Sequence, residues 1–171
     1  MTDCLSGTLP LASEFVVADF SCGRSALDDY LIRHALLAQR ANTARTFVAL
    51  RGARVVGYYS LAAASVEPEH APPRVVQGTG RYPIPLTLLA RLAVDKAEQG
   101  TGLGKALLKD AMKRFLGAHE QVASRALLVH AADAAARDFY LAFGFQAAPF
   151  NPLHLYLLPK DMHRALRKAQ S

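Results

Sequence analysis

The sequence predicts a mixed α/β domain, and three observations predict it. Apolar residues alternate in some stretches and recur every three or four positions in others. The two kinds of stretch interleave along the chain, which excludes an all-α or all-β domain. The 171 residues fit one domain spanning residues 1–171 and are too few for two ordinary ones. A chain of this size buries roughly 70% of the surface it exposes when unfolded and needs no disulfide or metal staple.

The predicted order is β-α-β-β, loop, β-α-β-α-β-α. Residues 24–40 read as a helix whose apolar face carries Ala26, Leu27, Tyr30, Leu31 and Ala35, with Ser21 or Gly23 as its cap. Thr46 to Leu50 and Arg54 to Ser65 read as two strands of a hairpin turning at Arg51-Gly52-Ala53. Gly57, inside the second strand, marks a bulge or a close backbone approach. Residues 66–85 hold Pro68, Pro72, Pro73, Pro83 and Pro85, which exclude regular helix and central strand, so a long loop is expected. Thr87 to Val94 reads as a buried strand interrupted by Arg91. A helix over 102–116 follows, with Leu103, Leu107, Leu108, Ala111, Phe115 and Leu116 on its apolar face. Arg125 to His130 is another strand. Asp133 caps a helix that Gly144 ends, His154 to Leu158 is the last strand, and Pro159 opens a basic helix. Only strands joined by a helical crossover need be parallel.

Composition narrows the function classes. Cys4 and Cys22 form neither a C-x-x-C pair nor a disulfide framework and read as inert thiols of a reducing compartment. The apolar stretches are broken by charge well short of about 18 residues, so no membrane span is expected. The N-terminus lacks the basic and apolar regions of a secretory signal, and a cytoplasmic protein is the simplest reading. His119-Glu120 is not followed by the second histidine of a zinc motif, and no metal site is expected. The net charge of +6 is uneven: residues 1–90 carry 8 Lys/Arg against 7 Asp/Glu, residues 91–171 carry 12 against 7. A basic C-terminal half favours an anionic ligand, a nucleotide, a nucleic acid or both; a solvated basic face is the alternative.

The stretch that carries chemistry runs from Leu92-Ala93-Val94 through Gln99-Gly100-Thr101-Gly102-Leu103-Gly104-Lys105. A buried strand passes through a short turn, with three glycines at every second position, into a helix. Glycines admit a ligand close to the backbone, and free amides at a helix start attract a pyrophosphate. Lys105 adds a full positive charge. Ala106 stands where a P-loop needs Ser or Thr, and G-x-G-x-G is not the dinucleotide fingerprint. On the glycine pattern alone, a structural turn is the alternative.

Gln99-x-x-Gly102-x-Gly104 matches the acetyl-CoA pattern of the GNAT superfamily of N-acetyltransferases. Phe20-Ser21-Cys22-Gly23, Leu27-Asp28-Asp29-Tyr30-Leu31, Gly57-Tyr58-Tyr59-Ser60-Leu61, Leu89-Ala90-Arg91-Leu92-Ala93-Val94-Asp95 and Phe139-Tyr140-x-x-Phe143-Gly144-Phe145 occur in the same order as in the GNAT toxins of bacterial toxin–antitoxin pairs. The chain resembles those toxins over residues 20 to about 158. The resemblance implies a GNAT fold with two splayed parallel strands. It implies acetyl-CoA paired along Leu92, Ala93 and Val94, with its pyrophosphate on the amides of Gln99 to Lys105. It also implies transfer to the α-amine of aminoacyl-tRNA, which blocks translation. As partners it implies a homodimer and a ribbon-helix-helix antitoxin through which operator DNA is repressed.

The same resemblance makes Tyr140 the catalytic residue, as general acid toward the departing thiolate or as a group that orients the cofactor. From spacing alone it could equally be a core aromatic. No general base is evident. Glu67 and Glu69 follow a strand, His130 ends one, and all three have bland readings as well. An α-amine titrates near 8, so water suffices as the proton acceptor. Arg91 either pairs internally or points toward the acceptor end of tRNA. Arg81 is the other candidate for tRNA, and Arg40, Arg45, Arg74 and Lys96 are possible phosphate contacts. Two rivals stand beside this reading. One is a GNAT enzyme acting on a protein amine or a small amine. The other is a non-catalytic nucleic-acid-binding module, against which the intact glycine turn and Tyr140 argue.

Overall fold

In chain order, the elements of the computed structural model, which describes residues 3–168, are β1 (Leu9–Pro10), α1 (Ser25–Asp29), a π-helical stretch (Tyr30–His34), α2 (Ala35–Arg40), β2 (Arg45–Arg51), β3 (Arg54–Val66), a 3₁₀ turn (Pro68–His70), α3 (Pro73–Val76), β4 (Ile84–Val94), a second 3₁₀ turn (Lys96–Glu98), α4 (Leu103–Ala118), β5 (Leu127–His130), α5 (Ala134–Leu141), β6 (Gln146–Ala147), β7 (His154–Leu157) and α6 (Pro159–Lys168). Two compact units emerge. One holds the chain up to Ala62 together with Ala90–Ala111; the other holds Ala63–Leu89 and the chain from Met112 onward. β3, β4 and α4 each contribute residues to both.

In the first unit β1, β2 and β3 are antiparallel neighbours in that order. The β2–β3 hairpin turns through Gly52-Ala53, with Gly52 at φ +59°. Its register slips between Ala49, which faces Gly57, and Leu50, which faces Val55, so β3 carries one extra residue there. Gly57 meets both expectations for it. It adjoins the bulge, and a Cβ on it would lie 3.0 Å from Leu103 Cδ2 and 3.1 Å from Leu107 Cδ1. The missing side chain is what lets α4 pack so close to the strand.

The predicted helix over 24–40 is helical from Ser25 to Arg40, but its middle turn is wider than an α-helix: Ala35 N–H donates to Tyr30 C=O, five residues back. Tyr30, Leu31 and Ala35 enter a core with Phe20, Val48, Leu50, Val55 and Tyr58. The expected cap is corrected. Arg24 is the cap residue and makes no side-chain cap bond; instead Asp28 Oδ1 reaches back to accept from Cys22 N–H at 2.9 Å. Cys22 is a free thiol that burial, first of several causes, pushes up to about 11, so it is protonated at neutral pH.

In the second unit the order is β4-β5-β7-β6. β4 and β5 are parallel, as their connection through α4 allows, and β5–β7 and β7–β6 are antiparallel. The parallel pairing runs over Thr87–Leu89 against Leu127–Val129, and β4 continues beyond it to Val94. Ala71, Val75, Ile84, Leu86, Ala126, Leu128 and Tyr156 form this unit's core. The segment expected to be a loop is more ordered than its prolines suggested. Pro68 and Pro73 each sit at a helix start, where a missing N–H costs nothing, and Pro85 lies at the second residue of β4. Asp133 caps α5 by accepting from Ala136 N–H at 2.8 Å, Gly144 follows at φ +97°, and Pro159 opens α6, as expected.

Candidate active site

The glycine-rich turn begins where β4 ends at Val94. Asp95 is buried and caps the 3₁₀ turn: Oδ1 accepts from Ala97 N–H at 3.0 Å and Oδ2 from Ser21 N–H at 3.1 Å. Lys96 N–H returns a bond to Ser21 C=O at 2.8 Å. Gln99 donates from Nε2 to Cys22 C=O and Val94 C=O, at 2.8 and 2.9 Å. Its side chain therefore ties the turn to the 20–23 segment, and only its main chain faces a ligand role. Thr101 Oγ1 donates to Glu98 C=O at 2.6 Å. Glu98 is buried, and its carboxylate takes a two-pronged ion pair from Arg51 at the end of β2. The Arg51 hydrogen bond holds the Glu98 carboxyl below its usual range.

Gly100 and Gly102 adopt φ +82° and +92°, and no atom lies within 4 Å of the place a Cβ would take on either. The left-handed backbone selects glycine, and the open space leaves room for a ligand against it. Gly104 has ordinary φ, and its Cβ would meet Val94 Cγ2 at 3.8 Å. The first intrahelical bond of α4 is Ala106 N–H to Gly102 C=O. The amides of Leu103, Gly104 and Lys105 thus precede the helix's own ladder, at the positive end of a 16-residue dipole. Lys105 is exposed beside them. On β4, Ala93 is buried, and Leu92 and Val94 are half-buried.

Tyr140 lies on α5 in the other unit, 7% exposed. Phe145 and Phe139 contact it edge-on, with ring centroids 5.3 and 5.2 Å away. Burial pushes its hydroxyl up to about 12, so it is neutral throughout the physiological range. A neutral phenol can donate a proton or a hydrogen bond and is no base. His130, at the end of β5, stacks on His154 at 4.0 Å; burial and then its neighbour lower its pKa. Glu67 and Glu69 are exposed.

A family model described as the acetyltransferase (GNAT) domain matches residues 42–147. The chain belongs to the GNAT acetyltransferase family. It is 48% identical over 145 residues to a tRNA-acetylating toxin of Mycobacterium tuberculosis (strain ATCC 25618 / H37Rv), covering 85% of this chain and 87% of that protein. Among solved structures it is similar to AtaT complexed with acetyl-methionyl-tRNAfMet, at TM-score 0.86 and 28% identity, covering 95% of this chain and 99% of that one. It is also similar to a variant of AtaT bound to the C-terminus of the antitoxin AtaR and to acetyl-CoA, at TM-score 0.81 and 26% identity, covering 96% and 99%.

GNAT enzymes use acetyl-CoA, and the turn fits that molecule: two glycines with open space in front of them, three amides at a helix start, and a lysine beside them. Among the described residues no cluster of His, Cys, Asp or Glu could hold a metal ion. The arginines sort themselves by geometry. Arg91 is half-buried and lies over the Tyr30 ring, 3.6 Å from its centroid, which satisfies the face of the guanidinium. Arg74 holds the buried carboxylate of Asp161 at 2.8 and 3.4 Å, with its side chain half exposed. Arg40, Arg45, Arg81 and Lys96 are exposed. Sequence reasoning missed Arg51, Glu98 and the double duty of Asp95. The visible signal was an acidic residue directly after an apolar strand; its partner, 74 residues away, was not visible.

Proposed function

We propose that this chain moves an acetyl group from acetyl-CoA to the α-amine of aminoacyl-tRNA, which blocks translation, and that a cognate antitoxin neutralises it. The observation that carries this reading is the 48% identity with a tRNA-acetylating toxin over 85% of the chain. The open glycine turn at the start of α4 supports it chemically.

In this reading the main-chain groups of Leu92, Ala93 and Val94 pair with the amides of the cofactor's pantetheine arm. The backbone of Gln99, Gly100, Thr101, Gly102, Leu103, Gly104 and Lys105 cradles its pyrophosphate. Direct transfer needs no covalent enzyme intermediate: the N–C bond forms, the C–S bond breaks, the amine loses a proton and the departing sulfur gains one. Tyr140 is the catalytic residue, the neutral donor facing that sulfur, either giving its proton or holding the sulfur by a hydrogen bond. An α-amine near pKa 8 is partly neutral already, so water takes its proton. Arg91 and Arg81 serve the tRNA. With its face on Tyr30, the edge of the Arg91 guanidinium is the part left to meet a phosphate.

The two units act as one domain, a reading supported by three elements that run through both. The partners we infer are a second copy of the chain and an antitoxin of the ribbon-helix-helix type, through which operator DNA is repressed. The site of action is the cytoplasm; no helix among the described residues is long and apolar enough to cross a membrane. The deciding experiment is radiolabelled acetyl transfer to total aminoacyl-tRNA, followed by identification of the acetylated amino acid. Label on the amino acid of intact aminoacyl-tRNA is expected. Label only on protein or on free small amines would overturn the reading.

A further inference from the structure

β5 and β7 pair Leu128 with Tyr156 and His130 with His154, so these four side chains share one face of the sheet. They open into a cavity of about 360 Å³ whose other walls include His70, Phe150 and Asn151. That volume lies at the small end of ligand pockets, roughly 300–1,000 Å³. No Lys, Arg, Asp or Glu lines it. Five of its ten lining residues are aromatic, beside the aliphatic Val66, Leu128 and Ala148: the two imidazoles stack 17° from parallel, and Phe150 is 80% exposed at the rim, an unusual place to leave a phenyl ring.

An uncharged, planar ligand with polar edges suits these walls. An aliphatic side chain would leave the imidazole nitrogens and the Asn151 NH₂ without partners, the Asn151 oxygen already accepting from Leu153 N–H at 3.0 Å. Burial and the neighbouring His154 lower the His130 pKa, which favours the neutral ring. Proteins that read single-stranded RNA ends stack bases on aromatic and histidine rings and bond their edges.

We propose that this pocket receives an unpaired base of the acceptor's single-stranded 3′ end, stacked on Phe150 and on the His130–His154 pair. The proposal rests on the aminoacyl-tRNA reading above. It assigns the base to the RNA rather than to the adenine of acetyl-CoA.

Two measurements test it. In the first, acetyl transfer to total aminoacyl-tRNA is compared for wild type, Phe150→Ala, His154→Ala and the ring-keeping His154→Phe. Base stacking is worth about 1–3 kcal/mol, so each alanine variant should raise the KM for aminoacyl-tRNA roughly 5–150-fold. The acetyl-CoA KM should hold, and His154→Phe should retain most tRNA affinity. Because Phe150 is exposed, its removal leaves the core intact. An unchanged tRNA KM in Phe150→Ala would overturn the proposal, and so would a matching rise in the acetyl-CoA KM. In the second, the trinucleotide CCA is titrated against the protein while the histidine ring protons are followed by NMR. Shifts of His130 and His154 in wild type, lost in Phe150→Ala, are expected; their absence in wild type rejects the pocket. This arm needs no catalysis. Intact shifts without any transfer to aminoacyl-tRNA would reject the proposed activity and leave the base site standing.

Discussion

Arg51 donates from Nε and Nη2 to the two carboxylate oxygens of Glu98, one residue before Gln99. The pair fixes the root of the turn to the end of β2, and it makes the turn sensitive to acid. Glu98 titrates lower in the folded chain, first because of the Arg51 hydrogen bond. A depressed carboxylate contributes stability that is complete above its unfolded pKa, about 4.3, and is lost as pH falls through the folded value. Wild type should therefore lose urea resistance more steeply than Glu98→Gln below about pH 4.3. Unfolding midpoints between pH 7 and pH 3 check this. Parallel curves would mean that the pair contributes no pH dependence.

Tyr140→Phe removes one hydroxyl from a ring packed on Phe145 and Phe139. Fold and acetyl-CoA affinity should survive. Turnover should fall by about 10²–10⁴ if a positioned acid is lost. Expression without antitoxin should arrest growth for wild type and not for the variant. Near-normal transfer by purified Tyr140→Phe would return the residue to the core.

A bulky residue in the turn should block the cofactor, and the backbone decides where to place it. Gly102 is a poor choice, because φ +92° strains any L side chain whatever it meets. Gly104 has ordinary φ and a neighbour at 3.8 Å, so Gly104→Val tests the space in front of the amides without forcing the chain. Calorimetry with acetyl-CoA should show at least a tenfold weaker Kd, about 1.4 kcal/mol. Unchanged affinity in a folded variant would remove the site assignment.

The tRNA should be held through phosphates and the cofactor through few charges. Transfer to aminoacyl-tRNA at saturating acetyl-CoA should fall steeply with added salt, because each neutralised phosphate releases counterions. Arg81→Glu, at an exposed position, should raise the KM for tRNA and reduce the salt slope while leaving acetyl-CoA binding intact. A flat salt profile would point to a small amine or a protein amine as the acceptor.

What was legible in the sequence was what neighbouring residues decide. Asp133, Gly144 and Pro159 do their work within a few positions of themselves, and each stands at the helix boundary expected of it. Gly57 could be singled out because a glycine in a strand needs a reason; that Leu103 and Leu107 supply it could not be known. The ties that brace the turn join residues far apart in sequence, Arg51 to Glu98 and Ser21 to Asp95, and charge patterning along the chain carries no trace of them. The prolines after β3 misled because proline breaks a helix only in its interior. At the first position, where Pro68 and Pro73 stand, it starts one. Gln99 was recognised by its place in a pattern, but its side-chain role is to fasten Cys22 and Val94.

The wide turn at Tyr30–His34 bears on how this chain tolerates changes of length. Successive residues of an α-helix are set about 100° apart, so Ala35 would stand about 140° around the axis from Tyr30. One extra residue in the turn swings Ala35 back toward the side that holds Tyr30 and Leu31, and all three reach the same core. Deleting a single residue here would make Ala35 the fourth residue after Tyr30, about 40° around an unbroken α-helix, so the positions on either side would keep their common face. A gap of one codon in this stretch therefore leaves the helix more regular and its buried face aligned, whereas the same gap in an ordinary α-helical turn would rotate that face by about 100°.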